Sequence, residues 1–213
     1  MTGPVRTTRP ARHLRRWVTL LGGFVIIAAG IAMTVHADLG LAPWDVFHQG
    51  VALRTGLSFG TATMVVGAGV FVFWFPLRQR PGIGTILNVL LIGPCADLWL
   101  FLLPVPHAMP WRIAYLVVGA TILGVGGGFY IGAGLGPGPR DGLMTGLAAR
   151  GLPVRWVRTV LEVAATGAGW MLGGSVGAGT VLVALSIGHI IEPTLAWSSR
   201  INGQVPVKVE VLP

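Results

Sequence analysis

Two short segments hold most of the residues in this chain whose types and spacing suit chemistry. Each follows a glycine-rich turn and sets a proline, one variable residue and an aspartate: Ala42-Pro43-Trp44-Asp45-Val46 and Gly138-Pro139-Arg140-Asp141-Gly142. One reading is helix initiation alone. Proline suits the first helical position, and an acid in the first turn complements the positive end of the helix dipole. The other reading is that two half-helix N-termini, bare of side chains at Gly136 and Gly138, turn free N–H groups inward and hold an anion at membrane depth. Arg140, replaced by Trp44 in the first segment, adds a planar fork for a carboxylate. The two readings are compatible, and the candidate substrate-binding residues are Pro43, Asp45, Gly136, Gly138, Pro139, Arg140 and Asp141.

A second pair of acids lies deeper in apolar sequence. Asp97 and Glu192 each sit about four turns into a predicted helix, where an isolated charge is costly and faces a partner or a water-filled cavity. They suit coupling or gating; the alternative is that each bonds the start of a neighbouring half-helix. Glu162 lies one turn after Arg158, the spacing of a local ion pair. Asn88, His48 and His189 read as packing or hydrogen-bonding residues. Cys95 stands alone, which rules out an intrachain disulfide and a multi-cysteine metal site. No metal motif, nucleophile elbow or phosphate loop occurs, so neither an enzyme nor a cofactor is expected.

These residues recur because the chain is a repeat. Residues 37–54 lie over 133–150, sharing Ala37/Ala133, Leu39/Leu135, Gly40/Gly136, Pro43/Pro139, Asp45/Asp141, Gly50/Gly146 and Arg54/Arg150. One deletion later, Gly82–Asp97 lies over Gly177–Glu192. Duplicated apolar units of this kind build many transporters, with the substrate site between the copies.

Composition fixes the surrounding medium. Charged residues are 10% of the chain and apolar residues 53%, with a mean hydropathy of +0.75, whereas soluble domains carry about 25% charged residues. The net charge of +8 sits in tails and short loops, the pattern of membrane-orientation signals and not of a nucleic-acid-binding face. Apolar spans are predicted at 17–36, 57–77, 82–103, 112–132, 157–173 and 178–197. The first resembles a signal peptide, but residues 16–40 match 112–136, so it reads as a retained helix.

The expected architecture is an all-α membrane protein of six transmembrane helices in two inverted three-helix repeats. Residues 43–55 and 139–150 form a short re-entrant or interfacial helix in each copy. Spanning is the alternative for them, but about 13 residues rise only roughly 20 Å. The chain divides into a basic cytoplasmic tail (1–16), membrane repeats at 17–110 and 111–198, and a cytoplasmic tail (199–213). With both termini inside the bacterial cytoplasmic membrane, only Arg54 and Arg112 among the basic residues fall outside. Gly124, Gly128, Gly132 and Gly136 form a small-residue stripe, echoed by Ala28, Ala32, His36 and Gly40, that suits close helix packing.

LGxxPWDVFxxG, then GIGT with a following Asn and Asp, then GLGPGPRDGLMTGL and a later GAGT resemble the YczE-type bacterial membrane proteins, related to the YitT group. The likeness covers nearly the whole chain. It implies an integral membrane protein and brings no substrate or catalytic residue with it. Two functions follow: a transporter or permease of a small anionic or zwitterionic solute, with a passive channel as its near variant, or a non-transporting accessory or scaffold protein. The expected partners are the lipid bilayer, a small solute and, in a homo-oligomer, a second copy; nucleic acid is not among them.

Overall fold

The computed structural model describes residues 9–204, and every regular element among them is an α-helix. The first copy holds α1 (Arg9–Ala37), α2 (Pro43–Thr55), α3 (Phe59–Leu77) and α4 (Ile83–Leu102). The second holds α5 (Met109–Gly132), α6 (Pro139–Ala148), α7 (Val154–Met171) and α8 (Ala178–Ile201). Each copy therefore runs long, short, long, long.

The centre of the bundle is the crossing of α1 and α5. Gly23 of α1 faces Gly126 of α5, and Gly30 faces Gly119, so the helices run antiparallel with equivalent residues exchanging places. A Cβ at Gly30 would lie 2.6 Å from the Leu123 nitrogen, and one at Gly126 would lie 2.6 Å from that of Ile27. Glycine is what lets the backbones approach this closely. The ends repeat the exchange. Arg16 Nε donates to the Ala133 carbonyl at 2.8 Å, and its counterpart Arg112 donates to that of Ala37 at 2.8 Å. Each arginine thus occupies carbonyls left open at the C-terminus of the other copy's long helix.

The turns after α1 and α5 cross over in the same way. Gly179 N donates to the Leu39 carbonyl at 2.8 Å, and Gly84 N donates to that of Leu135 at 2.9 Å. Gly40 and Gly136 make these turns, with φ of +104° and +134°, where an L side chain would be strained. Two further interfaces join the copies, α2 with α7 and α3 with α6. In one, Val46 and Phe47 lie against Gly169; in the other, the Trp74 ring fills the space over Gly142. The small-residue stripe of α5 serves a different neighbour: Gly124, Gly128 and Gly132 face Ile190, Thr194 and Ser198 of α8.

One pair breaks the pattern. α3 packs on α4 so closely that a Cβ at Gly60 would overlap the Gly93 carbonyl. α7 packs on α2 and α6 and makes no comparable contact with α8, and Gly188, the counterpart of Gly93, faces open space.

Four helices are long and apolar enough to cross a membrane: α1 from Arg12, α4, α5 and α8. The pair α2–α3, bent by 111°, adds a fifth if taken together. Helices cover all six stretches expected to span, but two fall short on these grounds. Pro76 interrupts α3 near its end, and α7 has Arg155, Arg158 and Glu162 within its 18 residues. The short segments are helices of 13 and 10 residues, rising about 20 and 15 Å, less than a bilayer core. α1 begins at Arg9, so residues 9–16 of the expected basic tail are helical and continuous with the first long helix. Asn202 and Gly203 likewise pack back onto Arg12. The rest of both expected tails lies outside the described residues.

Candidate functional site

The starts of α2 and α6 converge on a cavity of about 100 Å³ beside the α1–α5 crossing. Each of these helices has proline at its first position and no side-chain cap. Their first-turn N–H groups therefore carry no side-chain bond. Ala42, Trp44, Asp45 and His48 line one side, with Gly138, Pro139 and Arg140 on the other. Ile27 and Ile31 of α1, Leu123 and Tyr130 of α5, and residues of α3 and α4 close the wall.

Asp45 is buried, with its Oδ1 3.3 Å from His48 Nδ1. The Tyr130 hydroxyl donates to Asp141 Oδ2. Arg140 Nε stands 3.8 Å from Asp141 Oδ1, and no hydrogen bond from its guanidinium is present among the described residues. The Arg140 side chain keeps 43% of its surface accessible, so it faces an opening and not a packed wall. Its charge also acts on Asp45 and on Glu162, and Glu162 itself pairs with Arg158 at 2.9 Å. Pro139 is fixed from outside the cavity by Trp74 Nε1, which donates to its carbonyl at 2.8 Å.

Of the residues selected from sequence, Asp45, Gly138, Pro139 and Arg140 share the cavity wall. Asp141 stands behind it, holding Tyr130 and Arg140. Pro43 begins α2 without lining the cavity, and Gly136 packs on Thr85 at the start of α4. Asp97 lies elsewhere. It accepts from Ser58 Oγ at 2.5 Å and from Gly60 N at 2.7 Å, and so bonds the start of α3, a long helix and not a half-helix. Glu192 is exposed on α8 and has no hydrogen bond or ion pair among the described residues. The neighbouring Ile190 lies against Gly124 of α5. No group of three or more metal-ligating side chains occurs among the described residues.

A model of DUF6198, described as a family of unknown function, matches residues 14–194. The chain belongs to that family. It is 36% identical over 189 residues to the uncharacterised membrane protein YczE of Bacillus subtilis, covering 87% of this chain and 88% of that one. An uncharacterised protein of Haemophilus influenzae is 37% identical over 174 residues, covering 81% and 80%. The uncharacterised protein YyaS of Bacillus subtilis is 24% identical over 177 residues, covering 80% and 87%. No solved structure matches. The resemblance to YczE read from the motifs is thus shown, while these matches say nothing of the YitT group.

Thr63 and Tyr130 line the cavity with no motif to mark them, and so do Asn88 and His48, whose sequence context indicates only packing or hydrogen bonding. A search for chemistry shared by the two copies passes over them. The cavity lies to one side of the crossing, walled by all four helices of the first copy, so these residues have no equivalents in its wall.

Proposed function

We propose that the protein is a multi-pass membrane transporter or permease for a small anionic or zwitterionic solute, bound between the starts of α2 and α6. The observation that carries this reading is the cavity beside the α1–α5 crossing, where Arg140 presents a guanidinium with no hydrogen-bonded partner. Pro43, Asp45, Gly136, Gly138, Pro139, Arg140 and Asp141 form or brace the site. No chemical transformation is part of the proposal.

The membrane arrangement that goes with it has six crossings, by α1, α3, α4, α5, α7 and α8, with α2 and α6 as half-helices inside the protein. The antiparallel α1–α5 crossing and the exchanged hydrogen bonds support a pseudo-two-fold axis perpendicular to the helices, which is the geometry of inverted repeats. Arginine placement supports cytoplasmic termini in the bacterial cytoplasmic membrane. Asp97 and Glu192 supply the gate. One engages the start of α3 and the other is bare. Alternating access then consists of α7 reaching α8 as α3 leaves α4.

The test is a thermal-shift screen of small metabolites on the purified full chain, followed by uptake of any stabilising compound into proteoliposomes. A ligand that binds only the folded state raises its melting temperature. Stabilisation with uptake supports transport; stabilisation without uptake turns the cavity into a sensor or structural site. The absence of any stabilising compound favours an accessory role.

A further inference from the structure

The cavity wall carries one carboxylate and one guanidinium, contributed by different copies. Asp45 has 8% of its side-chain surface exposed, and only its Oδ1 is engaged, by His48. Its Oδ2 has no hydrogen-bond partner among the described residues, yet it is not one of the polar atoms sealed from solvent. It therefore looks into the cavity. Arg140 faces the same space with its guanidinium nitrogens uncommitted by hydrogen bonds. Asp141 is not in the cavity lining; it accepts from the Tyr130 hydroxyl and stands 3.8 Å from Arg140 Nε without a hydrogen bond to it. The cavity lining thus sets one acid, Asp45, and one base, Arg140, on opposite sides of the space.

Such a wall discriminates. A simple anion meets Arg140 but is repelled by Asp45, and a simple cation meets the reverse, because a like charge nearby disfavours the charged form. Only a molecule carrying both charges satisfies both groups. We propose that the solute is a small aliphatic zwitterion of the amino-carboxylate class. Its carboxylate lies on Arg140 and the uncapped N–H groups of α6, and its ammonium lies on Asp45 Oδ2. The volume of about 100 Å³ holds several water-sized groups, enough for a molecule of a few heavy atoms. Ile31, Val66, Val89 and Ile92 line the remainder and accept a short alkyl group.

This inference rests on the cavity being a solute site, and the test separates the two claims. The purified full chain is melted with L-alanine, propionate or ethylamine, which are matched in size and differ in charge. L-alanine is expected to raise the melting temperature of the wild type and the other two are not. In Asp45→Asn the midpoint concentration for L-alanine is expected to rise about tenfold or more, the worth of a charged hydrogen bond, while propionate gains a response. In Arg140→Gln L-alanine is lost in the same way and ethylamine gains a response. Equal stabilisation of the wild type by propionate and L-alanine would overturn the zwitterion and leave an anion site in place. Stabilisation by none of the three would overturn both claims. The wild-type panel decides this even where a variant fails to fold.

Discussion

Asp97 and Glu192 occupy matched positions in the two copies, and the structure sets opposite costs for losing them. In Asp97→Ala the Gly60 N–H loses its carboxylate acceptor at the start of α3, where no intrahelical partner exists. Ser58 loses its 2.5 Å bond to Asp97 but keeps Thr61, 2.8 Å away, as another acceptor for its hydroxyl. The cost is therefore dominated by one charged hydrogen bond and one orphaned donor, about 2–3 kcal/mol. For a chain of this size that is a fall in melting temperature of roughly 5–10 °C. Asp97→Asn keeps an acceptor and loses about half as much. Glu192 has no partner to lose, so Glu192→Gln leaves the melting temperature unchanged or raises it by removing a charge from the α8 surface. The assay is thermal unfolding of the purified variants in one detergent, read by intrinsic tryptophan fluorescence. Equal losses for the two variants, or an Asp97→Ala protein melting within about 2 °C of wild type, would refute the assignment of the cap.

Three further outcomes follow from the geometry. Gly30→Ala sets a Cβ 2.6 Å from the Leu123 nitrogen, and because that neighbour is backbone the α1–α5 crossing must part. About 3 kcal/mol of destabilisation is expected in denaturant titration, against little change for Gly22→Ala, whose Cβ meets nothing within 4 Å. Arg140→Lys is expected to fold normally and to lose most of the stabilisation given by any carboxylate-bearing ligand, since lysine lacks the bidentate fork; unchanged stabilisation would remove Arg140 from the site. For the proposed topology, a cysteine replacing Arg54 labels from outside intact cells and one replacing Arg150 only after permeabilisation, in a background lacking Cys95. Labelling of both from one side would exclude the inverted arrangement.

Much of the positioning was legible from the repeat. The shared proline and aspartate marked the starts of α2 and α6, and the glycines at 40 and 136 marked the turns before them. Arginine was less transparent. Arg16 and Arg112 read as orientation signals, yet each binds the end of the opposite copy's long helix. Charge counts cannot distinguish a loop arginine in water from one bonded to backbone carbonyls. Among the glycines, the stripe at 124, 128 and 132 was visible because its spacing is four. Gly23, Gly30, Gly119 and Gly126 make the central crossing at a spacing of seven, which a search for small residues every fourth position misses. The unpacked face of α8 had no signal at all, since Gly188 repeats Gly93 and Glu192 matches Asp97 in kind. What differs is the partner helix: Gly60 on α3 becomes Arg155 on α7, and an arginine cannot approach a backbone as a glycine does.

The Trp74 ring over Gly142 and the slender Gly169 beneath Val46 make the two copies non-interchangeable. These contacts join matched positions of the repeat, but the bulk sits on opposite partners: on α3 in one, on α2 in the other. A chain assembled from two first halves would drive Trp74 against Val46 in both places. A chain of two second halves would leave glycine facing glycine, a void where each ring or branched side chain should be. Each volume in one half is matched by its complement in the other, so the halves are lock and key to each other. Neither half can be replaced by a duplicate of the other without rebuilding both contacts.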